Sequence, residues 1–217
     1  MSELTQLISQ PPAPMQNGAG NISVAKVVSN TDQAGLGRVQ IKLRWNPGAT
    51  LWARVATPMA GSGNGSYFMP QVDDEVLVAF NQTDLTEAYV IGCLWSSPRR
   101  PPKSGPDDPK NLRTIRTPAG HELLFDDKQN LVSLVTSTKQ SITLAQDRIE
   151  LSSGNGKSTI TLGAQGQISI KASQSISIEA PNVSVNGSSK LELKSSTSAS
   201  LSGGSLCEVK AGLIKIN

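Results

Sequence analysis

The chain has 217 residues, of which 17% are charged, and a formal net charge of +3. That length holds one large domain or two small ones, and so mild a charge excludes a polybasic nucleic-acid arm or a membrane-steering patch. No apolar run approaches the roughly 18 residues of a membrane span, and Glu3 stands where a signal peptide needs positive charge, so the chain reads as soluble and cytoplasmic where it is made.

In chain order, Ile22, Val24, Val27 and Val28 mark a first strand over 22–28. A Gly35-Leu-Gly37 turn leads to a second, Arg38-Val-Gln-Ile-Lys-Leu-Arg-Trp45. The second alternates strictly: Val39, Ile41, Leu43 and Trp45 share one face, and Arg38, Gln40, Lys42 and Arg44 the other. That pattern is a strand with one face in a core and one in water. Leu51–Ala56, Val76–Phe80 and Ala88–Trp95 follow, with a Gly-rich loop at 61–65. Five short strands divided by turn signals predict a small closed barrel of the OB type. Residues 96–110 carry five prolines, which give no amide hydrogen to a ladder, so they read as a stiff extended linker. Arg99, Arg100 and Lys103 within it read as solvated charges offsetting Asp107 and Asp108.

The rest of the chain has another composition. All eight aromatics lie between 45 and 125, whereas residues 126–217 hold 19 serines and no Phe, Tyr or Trp. Without aromatic burial this stretch is not an ordinary globular domain. Pairs of aliphatic residues separated by one residue recur instead: Ile142/Leu144, Ile149/Leu151, Ile160/Leu162, Ile168/Ile170, Ile176/Ile178, Val183/Val185, Leu191/Leu193 and, more loosely, Ile214/Ile216. From Ile160 the first members step by 8, 8, 7 and 8, and by a further 8 to the looser pair Ala199/Leu201, with turn formers between pairs. A side-chain period of two points each pair inward and the intervening polar residues outward. Short strands joined by tight bends predict a coil that keeps turning about an axis.

Two small aliphatics per octad are too few to stabilise a flat sheet with a wet face and open edges. Such coils are single-chain solenoids or intertwined trimers, and the thin core per chain favours three chains pooling their side chains. The expected fold is therefore all-β: an N-terminal OB-fold barrel followed by an intertwined triple-stranded β-helix in a homotrimer. Its trimer core would comprise Ile160, Leu162, Ile168, Ile170, Ile176, Ile178, Val183, Val185, Leu191, Leu193, Ile214 and Ile216. Nine or ten octads would make a rod on the order of 45 Å long. Its last residues, Lys215, Ile216 and Asn217, would leave strand edges open and are read as a docking platform for a tip protein.

Several stretches resemble the spike proteins of contractile injection machines, the VgrG proteins of type VI secretion and phage baseplate assembly protein V. They are Gly35-Leu-Gly-Arg-Val39, Leu51-Trp-Ala-Arg-Val-Ala56, Ala60-Gly61, Phe68-Met-Pro70, Asp74-Glu-Val-Leu-Val78 with Phe80, and Val90-Ile-Gly92. Ile115-Arg-Thr-Pro-Ala-Gly-His-Glu-Leu123 resembles the segment that joins barrel to β-helix in these proteins. Asp73 departs from the resemblance, standing where these proteins usually have Gly, and the large N-terminal hub module of full-length VgrG has no counterpart here.

The resemblance implies a structural homotrimer driven through a target envelope, with only transient contact with the target membrane. Its partners would be a hub protein on the N-terminal side, a PAAR-type tip protein at the C-terminal end, and inner tube and baseplate proteins. It would be made in the cytoplasm and assembled into the baseplate of a virion or phage-tail-like particle. The domains are then 1–20, a flexible segment contacting the hub; 21–96, the OB-fold domain; 97–125, a Pro-rich linker and neck; and 126–217, the β-helix needle.

Signs of chemistry are weak. His121-Glu122 lacks the second histidine of a zinc-binding helix, Phe125 standing in its place, and a lone histidine completes no zinc site; a structural hydrogen bond is expected. Gly156-Lys-Ser158 resembles the end of a phosphate loop, but Leu151 stands where its first glycine belongs. No Gly-x-Ser-x-Gly elbow occurs, and Asp73-Asp74-Glu75 and Asp126-Asp127 sit at turns without a partner acid. Cys93 and Cys207 read as small buried or half-buried residues, not a disulfide or metal pair. The reading is no enzyme, no cofactor, no metal and no nucleic acid. Two alternatives stand beside it: an OB protein stacking nucleic-acid bases on Trp45, Trp52, Tyr67 and Phe68, and a carbohydrate-binding trimeric fibre.

Overall fold

The computed structural model describes residues 22–81 and 84–216. The hub-contact segment 1–20 and Asn217 of the tip platform lie outside the described residues. The chain divides into two compact units after Ile170.

The first unit begins with β1 (Ile22–Ser29), β2 (Arg38–Leu43) and β3 (Asn46–Val55), then a minimal hairpin of β4 (Ala60–Gly61) and β5 (Asn64–Gly65), then β6 (Glu75–Asn81) and β7 (Asp84–Leu94). The strands close a five-stranded barrel in the order β1-β2-β3-β7-β6. Every seam is antiparallel except β3 with β7, which pair in parallel through Ala53↔Ala88, Arg54↔Tyr89 and Val55↔Val90. The period-two pattern places the core: Val27, Val39, Ile41, Val76, Val78 and Val90 are buried inside, with Leu51, Val55 and Met69 packed at its margin. Each such aliphatic contributes about 1.5–3 kcal/mol through burial.

Trp45, assigned to the core face of its strand, is not in the core. β2 ends at Leu43, Arg44 and Trp45 form the turn into β3, and Trp45 is 41% exposed. Alternation sets a side chain's face only while the backbone stays extended.

Asp73, in the turn before β6, has φ 75°, the left-handed region that glycine enters most readily. Its carboxylate meets Lys26 Nζ at 2.7 Å, and its N–H donates to the Val27 carbonyl at 2.9 Å. The linker charges do not offset Asp107 and Asp108. Arg99 pairs with Asp74 of the barrel at 3.1 Å, and Lys103 with Glu122 at 2.8 Å. Nor is the linker extended to its end, because Asp108–Asn111 form one helical turn with Pro109 in its first positions, where a missing N–H costs nothing.

The second sheet comprises β8 (Leu112–Arg116), β9 (Glu122–Asp126), β10 (Leu131–Val135), β11 (Ser141–Leu144), β12 (Arg148–Ser153), β13 (Ser158–Gly163) and β14 (Ile168–Ala172), in sequence order across the sheet. Each strand from β8 to β12 pairs antiparallel with the next. The expected coil around an axis is therefore, over these residues, a meander. The turns explain it: Gly120, Asn130, Lys139, Asn155 and Gly166 take positive φ in short loops that reverse the chain, as antiparallel hairpins require. The sheet begins at Leu112, inside the stretch read as neck. In the second unit, no described residue beyond Ala172 lies in a strand, and those from Gln174 to Ile216 are exposed.

Candidate functional site

The meander brings the aliphatic pairs into register. One row runs Ile115–Leu123–Leu134–Ile142–Leu151–Ile160, strand to strand, and a second runs Phe125–Val132–Leu144–Ile149–Leu162. Residues directly opposite on paired strands point to the same face, so both rows share one side of the sheet. The other side carries Ser133, Thr143, Glu150 and Thr161 in one row. Among the described residues nothing covers the aliphatic side: Ile142, Leu144, Ile149, Leu151, Ile160 and Leu162 are each 39–46% exposed. Water on so continuous an apolar surface marks an interaction face.

Of the residues assigned to a trimer core, Ile160 and Leu162 lie in these rows, and Ile168 and Ile170 lie on β14. Ile176, Ile178, Val183, Val185, Leu191, Leu193, Ile214 and Ile216 lie beyond the last strand, each at least half exposed. Lys215 is exposed, as is Ile216, at 91%. The sequence pairs thus mark large apolar side chains that a single chain leaves wet.

A second feature lies at one end of the barrel. A cleft of about 900 Å³ opens between the loop joining β1 to β2 and the β4–β5 hairpin. Asp32 holds the first wall: its carboxylate accepts from the N–H groups of Ala34, Leu36 and Arg38, and from Arg38 Nε at 2.9 Å and Nη2 at 3.0 Å. The Arg38 guanidinium, with these backbone donors behind it, keeps Asp32 far below the usual carboxylate range despite its burial. On the second wall Thr57 Oγ1 donates to the Ser66 carbonyl at 2.6 Å, and Ser66 N–H donates to the Met59 carbonyl at 2.9 Å. Leu36, Met59, Tyr67 and Phe68 line the cleft while exposed. Only the aromatic character of these residues was visible in sequence; their convergence depends on two loops far apart in the chain.

The four aromatics considered as stacking platforms are not one surface. Tyr67 and Phe68 line the cleft, Trp45 sits in the β2–β3 turn, and Trp52 carries the Arg38 guanidinium 5.4 Å above its ring. His121 Nδ1 accepts the Ser137 N–H at 3.3 Å, the structural bond expected of it. Glu122 meets Lys103 and Thr114 Oγ1, and Lys103 foremost lowers its pKa. Gly156 lies in the turn between β12 and β13. Cys93, on β7, and Cys207, beyond the last strand, are both exposed, against the expectation of burial. Among the described residues no three His, Cys, Asp or Glu side chains gather as a metal set, and no helix is long and apolar enough to cross a membrane.

Residues 23–95 match the family model of the type VI secretion system/phage-baseplate injector OB domain, which bears out the resemblance read from the Gly35–Val39, Leu51–Ala56 and Asp74–Val78 stretches. The chain is 30% identical over 133 residues to the type VI secretion system spike protein VgrG2a of Pseudomonas aeruginosa, an alignment covering 58% of this chain and 14% of the relative. It is 31% identical over 103 residues to VgrG3 of Vibrio cholerae, covering 42% and 10%. To VgrG1a of Pseudomonas aeruginosa it is 25% identical over 171 residues, covering 71% and 26%. The chain thus spans between a tenth and about a quarter of the length of these relatives. All three are named as type VI secretion system spike proteins.

Proposed function

We propose that this chain is the subunit of the structural central spike of a contractile injection machine, in a phage tail, a phage-tail-like particle or a type VI-like system. The observation that carries the reading is the double row of half-exposed aliphatics on one face of the β8–β14 sheet, following a domain that matches the injector OB family. Left in water, each of these side chains forfeits about 1 kcal/mol of burial. Three copies meeting row to row recover it, and the pairs from Ile168 to Ile216 extend the same seam into an intertwined triple-stranded β-helix. The division is then a barrel at 21–96, a neck at 97–125 and a needle at 126–217.

In this role residues 1–20 meet a hub protein, and the barrel sits among inner tube and baseplate proteins. Lys215, Ile216 and Asn217 seat a PAAR-type tip. Sheath contraction drives the needle through the target envelope, and stiffness comes from backbone hydrogen bonds that leave few open edges. The role asks for no catalysis, cofactor or nucleic acid.

Light scattering on the purified full chain tests it. The expected mass is near three times 22.9 kDa. A clean monomer at micromolar concentration overturns the reading.

A further inference from the structure

Barrel and meander belong to separate sheets, and the proline-rich residues between them are fastened to both. Ser96 N–H donates to the Arg99 carbonyl at 3.0 Å, and Arg99 N–H returns the bond to the Ser96 carbonyl at 3.1 Å. The turn so closed sets Arg99 against the barrel. Its guanidinium meets Asp74 at 3.1 Å and Asp73 at 3.9 Å, and Nη2 donates to the Val72 carbonyl at 3.1 Å. The receiving turn is itself held to β1: Asp73 N–H donates to the Val27 carbonyl and Val27 N–H to the Asp74 carbonyl, each at 2.9 Å. Gln71 N–H also donates to the Asp74 carboxylate, at 2.8 Å.

Four residues after Arg99, Lys103 Nζ meets Glu122, the first residue of β9, at 2.8 Å. Thr114 Oγ1 of β8 donates to the same carboxylate at 2.9 Å, which fixes it where the lysine arrives. Arg99, Asp74, Lys103 and Glu122 are all partly buried, so solvent and salt screen these pairs less than fully exposed ones. Between the two anchors stand Arg100, Pro101 and Pro102. Proline holds φ at about −65°, so this spacer has few conformations to lose when both its ends are fastened. Beyond Lys103, Gly105 N–H donates to the Asp108 carboxylate at 2.7 Å, and Asp127 N–H of the β9–β10 turn donates to the Asn111 carbonyl at 2.9 Å. We propose that residues 96–111 are a strap that holds barrel and meander as one rigid body, with Arg99 and Lys103 as its latches. A push on the barrel then reaches the sheet without bending at the linker.

The test uses the full chain with Cys93→Ser, Cys207→Ser, Lys42→Cys and Lys128→Cys. Nitroxide labels then sit on exposed positions of β2 and of the β9–β10 turn, and labelled chain is diluted into excess unlabelled chain so that only pairs within one chain are read. Double electron–electron resonance should give one narrow distance peak. Arg99→Met with Lys103→Met should broaden that peak roughly twofold or more, and should raise hydrogen exchange at the amides of 96–105 roughly tenfold. The amides of β6 should keep their protection and so report an intact barrel. Should the double variant lose that protection, Arg99→Met alone carries the comparison. Lys103→Arg keeps the charge that meets Glu122 and should leave the peak narrow. A broad peak with both latches present, or a peak that stays as narrow without them, overturns the proposal. Because every readout lies within one chain, a monomer by light scattering would leave it standing.

Discussion

Five hydrogen bonds converge on the Asp32 carboxylate, three from backbone and two from the Arg38 guanidinium, and its side chain is only 6% exposed. Its pKa is depressed in the folded chain, Arg38 being the main cause. The stability it supplies is therefore complete above the ordinary aspartate value of about 3.9 and is lost only as pH falls toward the folded value. Asp32→Asn should lower the unfolding temperature at pH 7, and the gap from the native chain should narrow below about pH 4. A gap constant with pH, in melts followed by circular dichroism, would mean that the charge does not hold the loop. Asp73 poses a different question, because its φ of 75° suits the glycine that its position leads one to expect. Asp73→Gly should keep the turn and the melting temperature near native, losing the exposed pairs with Lys26 and Arg99. Asp73→Val should lower the melting temperature clearly, since a branched side chain is strained in that conformation.

Among the elements, the barrel and the meander should respond to substitution in opposite ways. Ile41 is fully buried at the barrel centre, so Ile41→Ala should cost about 2–4 kcal/mol in denaturant unfolding, through lost burial and the cavity left behind. Ile149→Ser with Leu151→Ser removes side chains already half in water. It should barely change barrel unfolding yet reduce assembly, measured by sedimentation. The difference also marks what was legible beforehand. Val39, Ile41 and Leu43 were placed correctly because strict alternation names a face, and Trp45 was misplaced because nothing in that alternation says where the strand stops. The aliphatic pairs named their common face for the same reason. They could not say whether successive strands wind or fold back, since a period of two is identical in both; residues such as Asn130, Lys139 and Asn155, in left-handed turns, decided it. The cleft was illegible because Leu36 and Tyr67 meet only through the closure of the barrel.

For the whole molecule, stability and assembly are linked. If the aliphatic rows pack between copies, the melting temperature should rise with protein concentration, and a scan across a hundredfold range that shows no shift would separate the two. Ile176→Ser with Ile178→Ser should cost several kcal/mol per assembly, because each substitution is felt in every copy. The register of the meander has one more consequence. Val132 and Leu134 on β10 face Leu144 and Ile142 on β11, and β13 presents Leu162 and Ile160 in that same order. Excising residues 141–158 would therefore join β10 to β13 without turning a single side chain over. Length in this sheet is graduated in whole hairpins, like notches on a ruler, and can be shortened or extended by that unit while the seam stays true.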